Sequence, residues 1–575
     1  MYLKQTKKDS GRVYLSIVQG YRKDGKTKTR TVESIGYLDE LIHTYPDPIA
    51  HFKAVCDERN AGIKAETEAQ VITIHPAQKI DMRTSNRKNI GSAIPLCHYN
   101  SLGIEKVLRN FTRKSKVDYD VNAVMRLLVM ERILSGGSKL RAHANKEGYF
   151  FKSDFSDDDV YRVLDVFARV KEKVISSMNR IIGSQGRRDI SHVFYDVTNY
   201  YFEIDEQDAL RRCGVEKNNR PDPIIQLGLL QDANAIPLGY EVFSGNTNDC
   251  LTLLPVLKNL KREMGLGRVI VVADKGLNTS GNIAATVVDG NGFVFSQSIR
   301  ATKSKQELRQ WVLSDIGYVV NDDATFKIKS RQDTKTLHIE GQDGIKTNVD
   351  TDIKVVAYWS AKYEIRSRAK RAEAIEKAKR LVADPTAFTK ATSYGAARFV
   401  RNISYDKKTG EVLVDAGKHA ELDTEAIALE EACDGYYCII TSETGLTDKE
   451  IIDIYKGLWR IEEAFRITKS DLAFRPVYVS TPSHIKAHFL TCYIALTIMR
   501  LIQADLSYEY TAHAIIEELC LLSGTHEEDN WWLFDHRTEL SDKLAASVGV
   551  NLTKRRMRLS EIKGILAAVS KKQRT

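Results

Sequence analysis

Arg268-Val-Ile-Val-Val-Ala-Asp274 is the run on which the fold turns. An unbroken apolar stretch of this kind suits a strand covered on both faces. Asp274 stands at its end and Gly276 just beyond. Upstream, Ile190-Ser-His-Val-Phe-Tyr-Asp196-Val-Thr-Asn-Tyr-Tyr-Phe-Glu-Ile204 is β-branched and aromatic, a second strand signal. Ile224-Ile-Gln-Leu-Gly-Leu-Leu230 and Ile236-Pro-Leu-Gly-Tyr-Glu-Val-Phe243 predict two more strands, Thr252 to Met264 a helix, and Gly292-Phe-Val-Phe-Ser296 a fifth strand. The resulting order predicts a mixed α/β sheet. Such sheets place ligands at the carboxyl ends of their strands, where Asp274 falls.

The flanking segments read differently. Residues 11–37 alternate like short strands about Asp24-Gly25, a hairpin signal, and a charged helix is expected at about 46–70. Residues 98–184 are helical in pattern: Val121 to Leu134 has apolar spacings of three and four, and Val160 to Ile182 repeats them. Residues 300–430 hold strand-like pieces, Phe326-Lys-Ile-Lys and Ile353-Lys-Val-Val-Ala-Tyr-Trp359. They also hold a charged helix, Ala361 to Val382, that Asp384-Pro385 ends. This segment reads as an insertion with its own β-structure. The sheet resumes with Asp434-Gly-Tyr-Tyr-Cys-Ile-Ile440, and Thr447-Asp-Lys-Glu450 is a capping box opening the next helix. The expected divisions are 1–90, 91–185, 186–300, 301–430, 431–505 and 506–575, the last a helical region with a basic tail.

A chain of 575 residues exceeds one ordinary core, so two to four domains are expected. Hydrophobic residues make up 43% and charged residues 28%, the balance of a soluble globular protein. The net charge of +9 is concentrated at the ends: nine Lys/Arg against three acids in residues 1–35, and eight against one in 551–575. Basic ends on a balanced body point to a polyanion, because neutralising phosphates releases counterions. Eight scattered cysteines include no CxxC pair, which argues against a zinc ribbon or a disulfide framework and for reduced thiols in the cytosol. The first residues lack the apolar core of a signal peptide, and Phe489 to Ile502, interrupted by Arg500, reads as a buried helix. Asp289-Gly-Asn-Gly292 lacks the Lys-Ser/Thr of a phosphate loop, so no nucleotide cofactor is expected.

The chemistry-bearing stretch is Tyr455-Lys-Gly-Leu-Trp-Arg-Ile-Glu-Glu-Ala-Phe-Arg-Ile-Thr-Lys469. Drawn as one helix, it stacks Tyr455, Glu462 and Lys469 at spacings of seven on one face. Asp196 lies within an apolar strand, where a charge is unfavourable unless paired or metal-bound. Three carboxylates, Asp196, Asp274 and Glu462, with cations nearby, are what Mg²⁺-dependent phosphodiester chemistry requires. Glu463, beside Glu462, reads as solvated. Trp459 is a candidate to stack an extruded base, but its residue type favours packing in the core; Trp359 is a comparable candidate. Trp531 and Trp532 are expected to pack the C-terminal region or an interface. Lys217 and Arg220 are candidate phosphate contacts in a loop. His484 and His488, spaced i, i+4, read as packing or phosphate contacts rather than metal ligands.

These residues resemble the DDE insertion-sequence transposases with a ribonuclease-H-like core, in particular the hairpin-forming group whose third acid lies in a Tyr-x2-Arg-x3-Glu-x6-Lys signature. Tyr455, Glu462 and Lys469 fall on its Tyr, Glu and Lys positions; Leu458 occupies the Arg position, and Arg460 faces elsewhere on a helix. Further matching pieces are Tyr195-Asp196-Val-Thr, Gln226-Leu-Gly-Leu-Leu, Pro237-Leu with Gly245-Asn246, Ala273-Asp274-Lys-Gly, Arg475-Pro476, and His484 to His488. Arg132-Ile-Leu-Ser-Gly-Gly-Ser-Lys139 looks like the arrangement in larger members. Asp274 and Glu462 lie 462 − 274 = 188 positions apart, which fits the mainly β insertion such enzymes carry.

The resemblance implies cut-and-paste transposition with two Mg²⁺ or Mn²⁺ ions held by Asp196, Asp274 and Glu462. It implies strand cleavage through hairpin ends, and strand transfer by a DNA 3′-hydroxyl. Tyr455, Lys469, Arg460, Trp459, Arg475, Lys217 and Arg220 are the expected DNA contacts. The partners would be double-stranded DNA, both terminal inverted repeats and target, with a homodimer holding two ends together on the chromosome in the cytoplasm. End recognition is expected within the first 185 residues. The competing readings are a metal nuclease that cuts without joining and a DNA-binding protein that has lost catalysis; the insertion and basic ends argue against the first, the intact triad against the second.

Overall fold

Among the described residues of the computed structural model, nine strands form the largest sheet. They are β1 (His192–Tyr201), β2 (Ile224–Asp232), β3 (Pro237–Ser244), β4 (Ile270–Ala273), β5 (Gly292–Ser296), β6 (Val319–Val320), β7 (Phe326–Glu340), β8 (Lys346–Ser360) and β9 (Tyr436–Thr441). Their spatial order is β6-β7-β8-β9-β5-β4-β1-β2-β3. β1 pairs in parallel with β4, and β4 with β5, while β2 and β3 run as antiparallel neighbours on the other side of β1. The five strands expected from the sequence therefore lie in the order 3-2-1-4-5. The residues described are 1–23, 26–67, 77, 79, 82, 85–214, 222–265, 267–300, 306–340, 346–389, 392–406, 411–415 and 417–571.

The helices that place the site are α1 (Ile104–Thr112), α2 (Val121–Leu134), α3 (Asp157–Ser184), α4 (Leu253–Met264), α5 (Ser280–Val288), α6 (Ala361–Ala383), α7 (Asp448–Lys456), α8 (Trp459–Arg466) and α9 (Pro482–Asp505). Side chains alternate across a strand, so each strand feeds both faces. Val193, Tyr195, Val197, Val271 and Ala273 join α4 and α5 in one core. Phe194, Tyr200, Val272 and Val294 join α7, α8, α9 and the helices of residues 93–182 in the other. Phe194 is 1% exposed, a burial worth about 2–3 kcal/mol. Covered on both faces, β4 has the unbroken apolar sequence that such a position demands. α9 is long and apolar enough to cross a membrane by composition, but it is a core helix with 94% of its apolar window buried.

The segment expected as an insertion is less separate than its sequence implied. β7 and β8 form a long hairpin, and Lys354–Trp359 pairs with Tyr436–Thr441, which makes β6–β8 part of the common sheet. The run Val355-Val-Ala-Tyr358 is buried throughout and needs a strand on each side. Two short strand pairs, Val400–Arg401 with Glu421–Leu422 and Ile403–Tyr405 with Val412–Val414, pack on α6 with their own small core around Leu381 and Phe399.

By contact density the chain divides into two units, Met1–Met82 and Arg83–Thr575. In the first, strands Tyr2–Lys7, Val13–Lys23 and Lys26–Tyr37 make an antiparallel sheet with the helix Pro48–Thr67. Asp24 and Gly25, the expected turn, lie outside the described residues. Arg12 holds this unit's first helical turn through Asp39 at 2.6 Å and Glu40 at 2.6 Å.

The C-terminal region, expected to be helical, also contains a sheet. Arg556–Arg558, Trp531–Phe534, Ser523–His526 and Arg87–Asn89 lie side by side. Strands of three and four residues are too short for periodicity to reveal. Trp532 packs edge-on against Phe150 there, and Arg558 lies over Trp531.

Candidate active site

β1 is buried along its length except at His192 and Asp196. Its parallel register sets Phe194 beside Val272. Continued by two residues, that register sets Asp196 abreast of Asp274, the first residue after β4. By alternation Asp196 shares the face of Phe194, and Asp274 that of Val272, so both belong to the side covered by α7 and α8. The two aspartates thus lie abreast on one face, Asp274 just past the end of β4 and Asp196 midway along the longer β1. Asp196 Oδ1 accepts the Val197 backbone N–H at 2.7 Å. Asp274 Oδ1 accepts from the Tyr455 hydroxyl and from Ser296 Oγ, each at 3.4 Å.

The expected capping box is present: Thr447 accepts from the Glu450 N–H, and the Glu450 side chain accepts in return. It opens α7, which delivers Tyr455 to Asp274. Burial first, and then the Asp274 charge, raises the phenol's pKa far above neutrality, so Tyr455 is a neutral donor. The expected single helix from 455 to 469 is not formed. A turn at Gly457-Leu458 separates α7 from α8, and a wider π-type turn, Ile467–Asp471, follows, with Leu472 N donating to Ile467 O at 2.8 Å. Gly457 is required at the first break: a Cβ there would stand 2.5 Å from Phe194 Cζ. That close approach lays α8, with Glu462 in its first turn, across the strand of Asp196. Leu458, at the family's Arg position, is 7% exposed and faces the core, where an unpaired guanidinium would be costly.

Glu462 is exposed; Glu463 is not the solvated residue expected. Its Oε2 accepts from Arg500 Nη1 at 2.7 Å, and Arg500, fully buried in α9, also donates to the Arg460 carbonyl at 2.8 Å. This pair anchors α8 to the core and aims the neighbouring Glu462 outward. Trp459 is 56% exposed, so the core reading of this residue is overturned. Arg460 donates to the Ala233 carbonyl, on a different side of α8. Lys469 lies 5.8 Å over the Tyr200 ring and Arg475 5.6 Å over Tyr201, at the carboxyl end of β1 and four and five residues beyond Asp196. Lys217 and Arg220 lie outside the described residues. His488 is buried against Lys139 and the Phe474 carbonyl, a packing role.

A cleft of about 400 Å³ borders Asp274 and Tyr455, with Ser296, Arg300, Arg398 and Tyr437 in its walls. Sequence reasoning passed over these four. Ser296 was legible as the end of a strand neighbouring β4, whereas Arg398 comes from a distant loop with no local signal. The donor set of Asp196, Asp274 and Glu462 is all oxygen, which suits hard divalent cations. Among the described residues no three His, Cys, Asp or Glu side chains stand close enough to share one ion, these three acids included.

The comparisons fit this geometry. A family model described as IS1634 family transposase, N-terminal domain matches residues 3–69, and a second, the transposase DDE domain, matches 225–498. The chain belongs to the DDE-type insertion-sequence transposases. It matches no curated protein. The two matches divide the transposase as its contacts do, the first falling within the small N-terminal unit. Asp274 and Glu462 lie inside the DDE match, and Asp196 lies 29 residues before its start, 225 − 196.

Proposed function

We propose that this transposase moves an insertion sequence by cut-and-paste, with Asp196, Asp274 and Glu462 as its catalytic carboxylates on a ribonuclease-H-like core. The observation that carries the reading is the parallel register of β1 and β4, which, continued by two residues, sets Asp196 abreast of Asp274. The 3-2-1-4-5 strand order and the packing of the Glu462 helix against β1 support it. Two Mg²⁺ or Mn²⁺ ions held by these acids would activate the attacking oxygen and stabilise the leaving one. Without cations three carboxylates repel at short range, and bound ions would offset that repulsion.

The chain's own residues then have distinct tasks. Tyr455 orients Asp274 and reaches the transposon end. Lys469 and Arg475, seated over Tyr200 and Tyr201, hold phosphates where β1 ends. Exposed Trp459 is available to stack a base extruded as the hairpin forms. In strand transfer the incoming 3′-oxygen bonds to phosphorus as the target's 3′-oxygen leaves, so phosphodiesters are conserved and no nucleotide cofactor is needed. Two ends joined to one target require two such sites, hence a homodimer, working on the chromosome in the cytoplasm.

The test uses purified protein and a supercoiled plasmid bearing the DNA that flanks the gene, with Mg²⁺ or Mn²⁺. Nicks, hairpin ends and joined products, all lost in Asp196→Ala and Glu462→Ala, are expected. Cleavage without joining would replace the reading with a nuclease, and binding without cleavage with a silent DNA-binding protein.

A further inference from the structure

We propose that the groove between α1 and α3 docks the phosphate backbone of duplex DNA. This names a DNA-contacting surface for the transposase reading above and rests on it. The groove encloses about 310 Å³ and is lined by Lys106, Asn110, Lys173, Ser176, Ser177 and Arg180. Three cations, two hydroxyls, an amide and the apolar Val107 line it, and among the described residues no carboxylate does.

Helical spacing builds this surface. Lys106 and Asn110 are four apart on α1; Lys173 and Ser177, and Ser176 and Arg180, are four apart on α3, so each set shares a face. The helices meet closely because Gly103, at φ +69°, precedes α1: a Cβ there would lie 2.6 Å from Ile181 Cδ1 and 3.3 Å from Ser177 Oγ. The Lys173 ammonium lies 5.6 Å from the Phe111 ring, its stem covering apolar surface while its charge stays in water.

Three other cations on these helices are already paired. Arg109 faces Glu105 at 3.9 Å, Arg162 faces Asp158 at 3.7 Å, and Lys171 meets Glu241 at 2.8 Å. Among the described residues Lys106, Lys173 and Arg180 have no ion-pair partner. A face kept only for solubility intersperses both signs. Three unpaired cations in one groove repel each other, and an external anion removes that cost.

A phosphodiester backbone fits the mixture better than a lone ion. Lys, Arg, Ser and Asn are the side chains that take backbone phosphates, and they fix position without reading bases. Lys173 and Arg180 are seven residues apart, about 10 Å along the helix, which spans about three successive charges of one DNA strand.

The experiment measures binding of the full chain to a duplex from the gene's flank across a range of salt. It compares wild type, the triple variant Lys106→Ala/Lys173→Ala/Arg180→Ala, and the charge-keeping Lys106→Arg/Lys173→Arg/Arg180→Lys. The neutral triple should lower the slope of log K against log salt by about 2–3, at about 0.9 per phosphate contact. It should weaken unrelated duplexes equally and leave the melting temperature unchanged. The charge-keeping triple should retain the wild-type slope. An unchanged slope in the neutral triple overturns the proposal, as does a groove whose neutralisation weakens binding of polyglutamate but not of DNA. Plasmid cleavage by the same wild-type protein separates the two claims. Normal cleavage with an unchanged slope sinks only the groove, and a lowered slope without cleavage sinks only the transposase reading.

Discussion

Two polar regions flank the segment 455–475, and they are satisfied in opposite ways. At the candidate active site, Asp196 and Asp274 are half-buried and Glu462 is exposed, and Asp274 receives contacts of 3.4 Å from Ser296 and Tyr455. On the far side of the segment, Arg132, Lys139 and His488 are buried at 8%, 6% and 2% exposure. There Arg132 donates to the Ala473 carbonyl at 2.7 Å and the Gly137 carbonyl at 3.0 Å, and Lys139 Nζ lies 3.2 Å from His488 Nδ1. Gly136, at φ +63°, permits this approach, since a Cβ would stand 2.9 Å from Ala473 Cβ. Buried polar groups without partners cost about 1–3 kcal/mol each, so the second region is completed by folding itself. In the first, Glu462 is exposed and the Asp274 contacts are long. The difference teaches that buried cations are matched during folding, while the acids proposed for chemistry stand where solvent and ligand reach them.

The largest expected effect falls on activity alone. Asp196→Ala, Asp274→Ala and Glu462→Ala should each lower plasmid cleavage by about 10²–10³-fold or more while unfolding midpoints stay near wild type. A variant that unfolds early would move that residue into the structural region. The adjacent pair Glu462 and Glu463 sharpens the contrast. Glu463→Ala strands buried Arg500 and should cost about 3–5 kcal/mol in urea unfolding, while Glu462→Ala should stay within about 0.5 kcal/mol. Equal stabilities would break the comparison.

Smaller effects follow from pH. Burial, with Arg132 adding repulsion, pushes Lys139 down to about 7, and burial with Lys139 holds His488 well below its usual range. Between pH 7 and 10.5 the unfolded lysine keeps a proton that the folded one releases, so stability rises with pH. Below about pH 6.5 the unfolded histidine gains a proton that the folded one does not, so stability falls. Thermal unfolding from pH 7 to 9 should show a slope of at most about 1.4 kcal/mol per unit, removed in Lys139→Met. An unchanged slope in the variant would assign it elsewhere. The smallest effect is Tyr455→Phe: losing one long hydrogen bond to Asp274 should slow cleavage about fivefold, or about 1 kcal/mol, and a loss as large as Asp196→Ala would make Tyr455 part of the chemistry.

Most of the sheet was legible because β4 and β1 carry their environment in their composition. An unbroken apolar run announces two covered faces, and a lone Asp196 within such a run announces an exception. The helix break at Gly457 was not legible, because it is imposed by Phe194, 263 residues earlier (457 − 194), rather than by neighbours in sequence. Glu463 was misread for the same reason: its partner Arg500 lies on another helix. Trp459 was assigned to the core on residue type, but it begins α8 on the outward side. The union of β8 with β9 escaped notice since pairing between distant strands leaves no local periodicity. Acids within or just after apolar strands were thus found by local pattern, while the contacts that aim them are long-range.

The central claim is that Asp196, Asp274 and Glu462 form one metal-binding site. The direct measurement is anomalous diffraction from crystals of the DNA-bound protein soaked in Mn²⁺. The account predicts peaks at about 2.0–2.2 Å from carboxylate oxygens of all three residues, absent in Asp196→Ala. Well-ordered DNA with Mn²⁺ bound elsewhere, or held without Asp196, would contradict it.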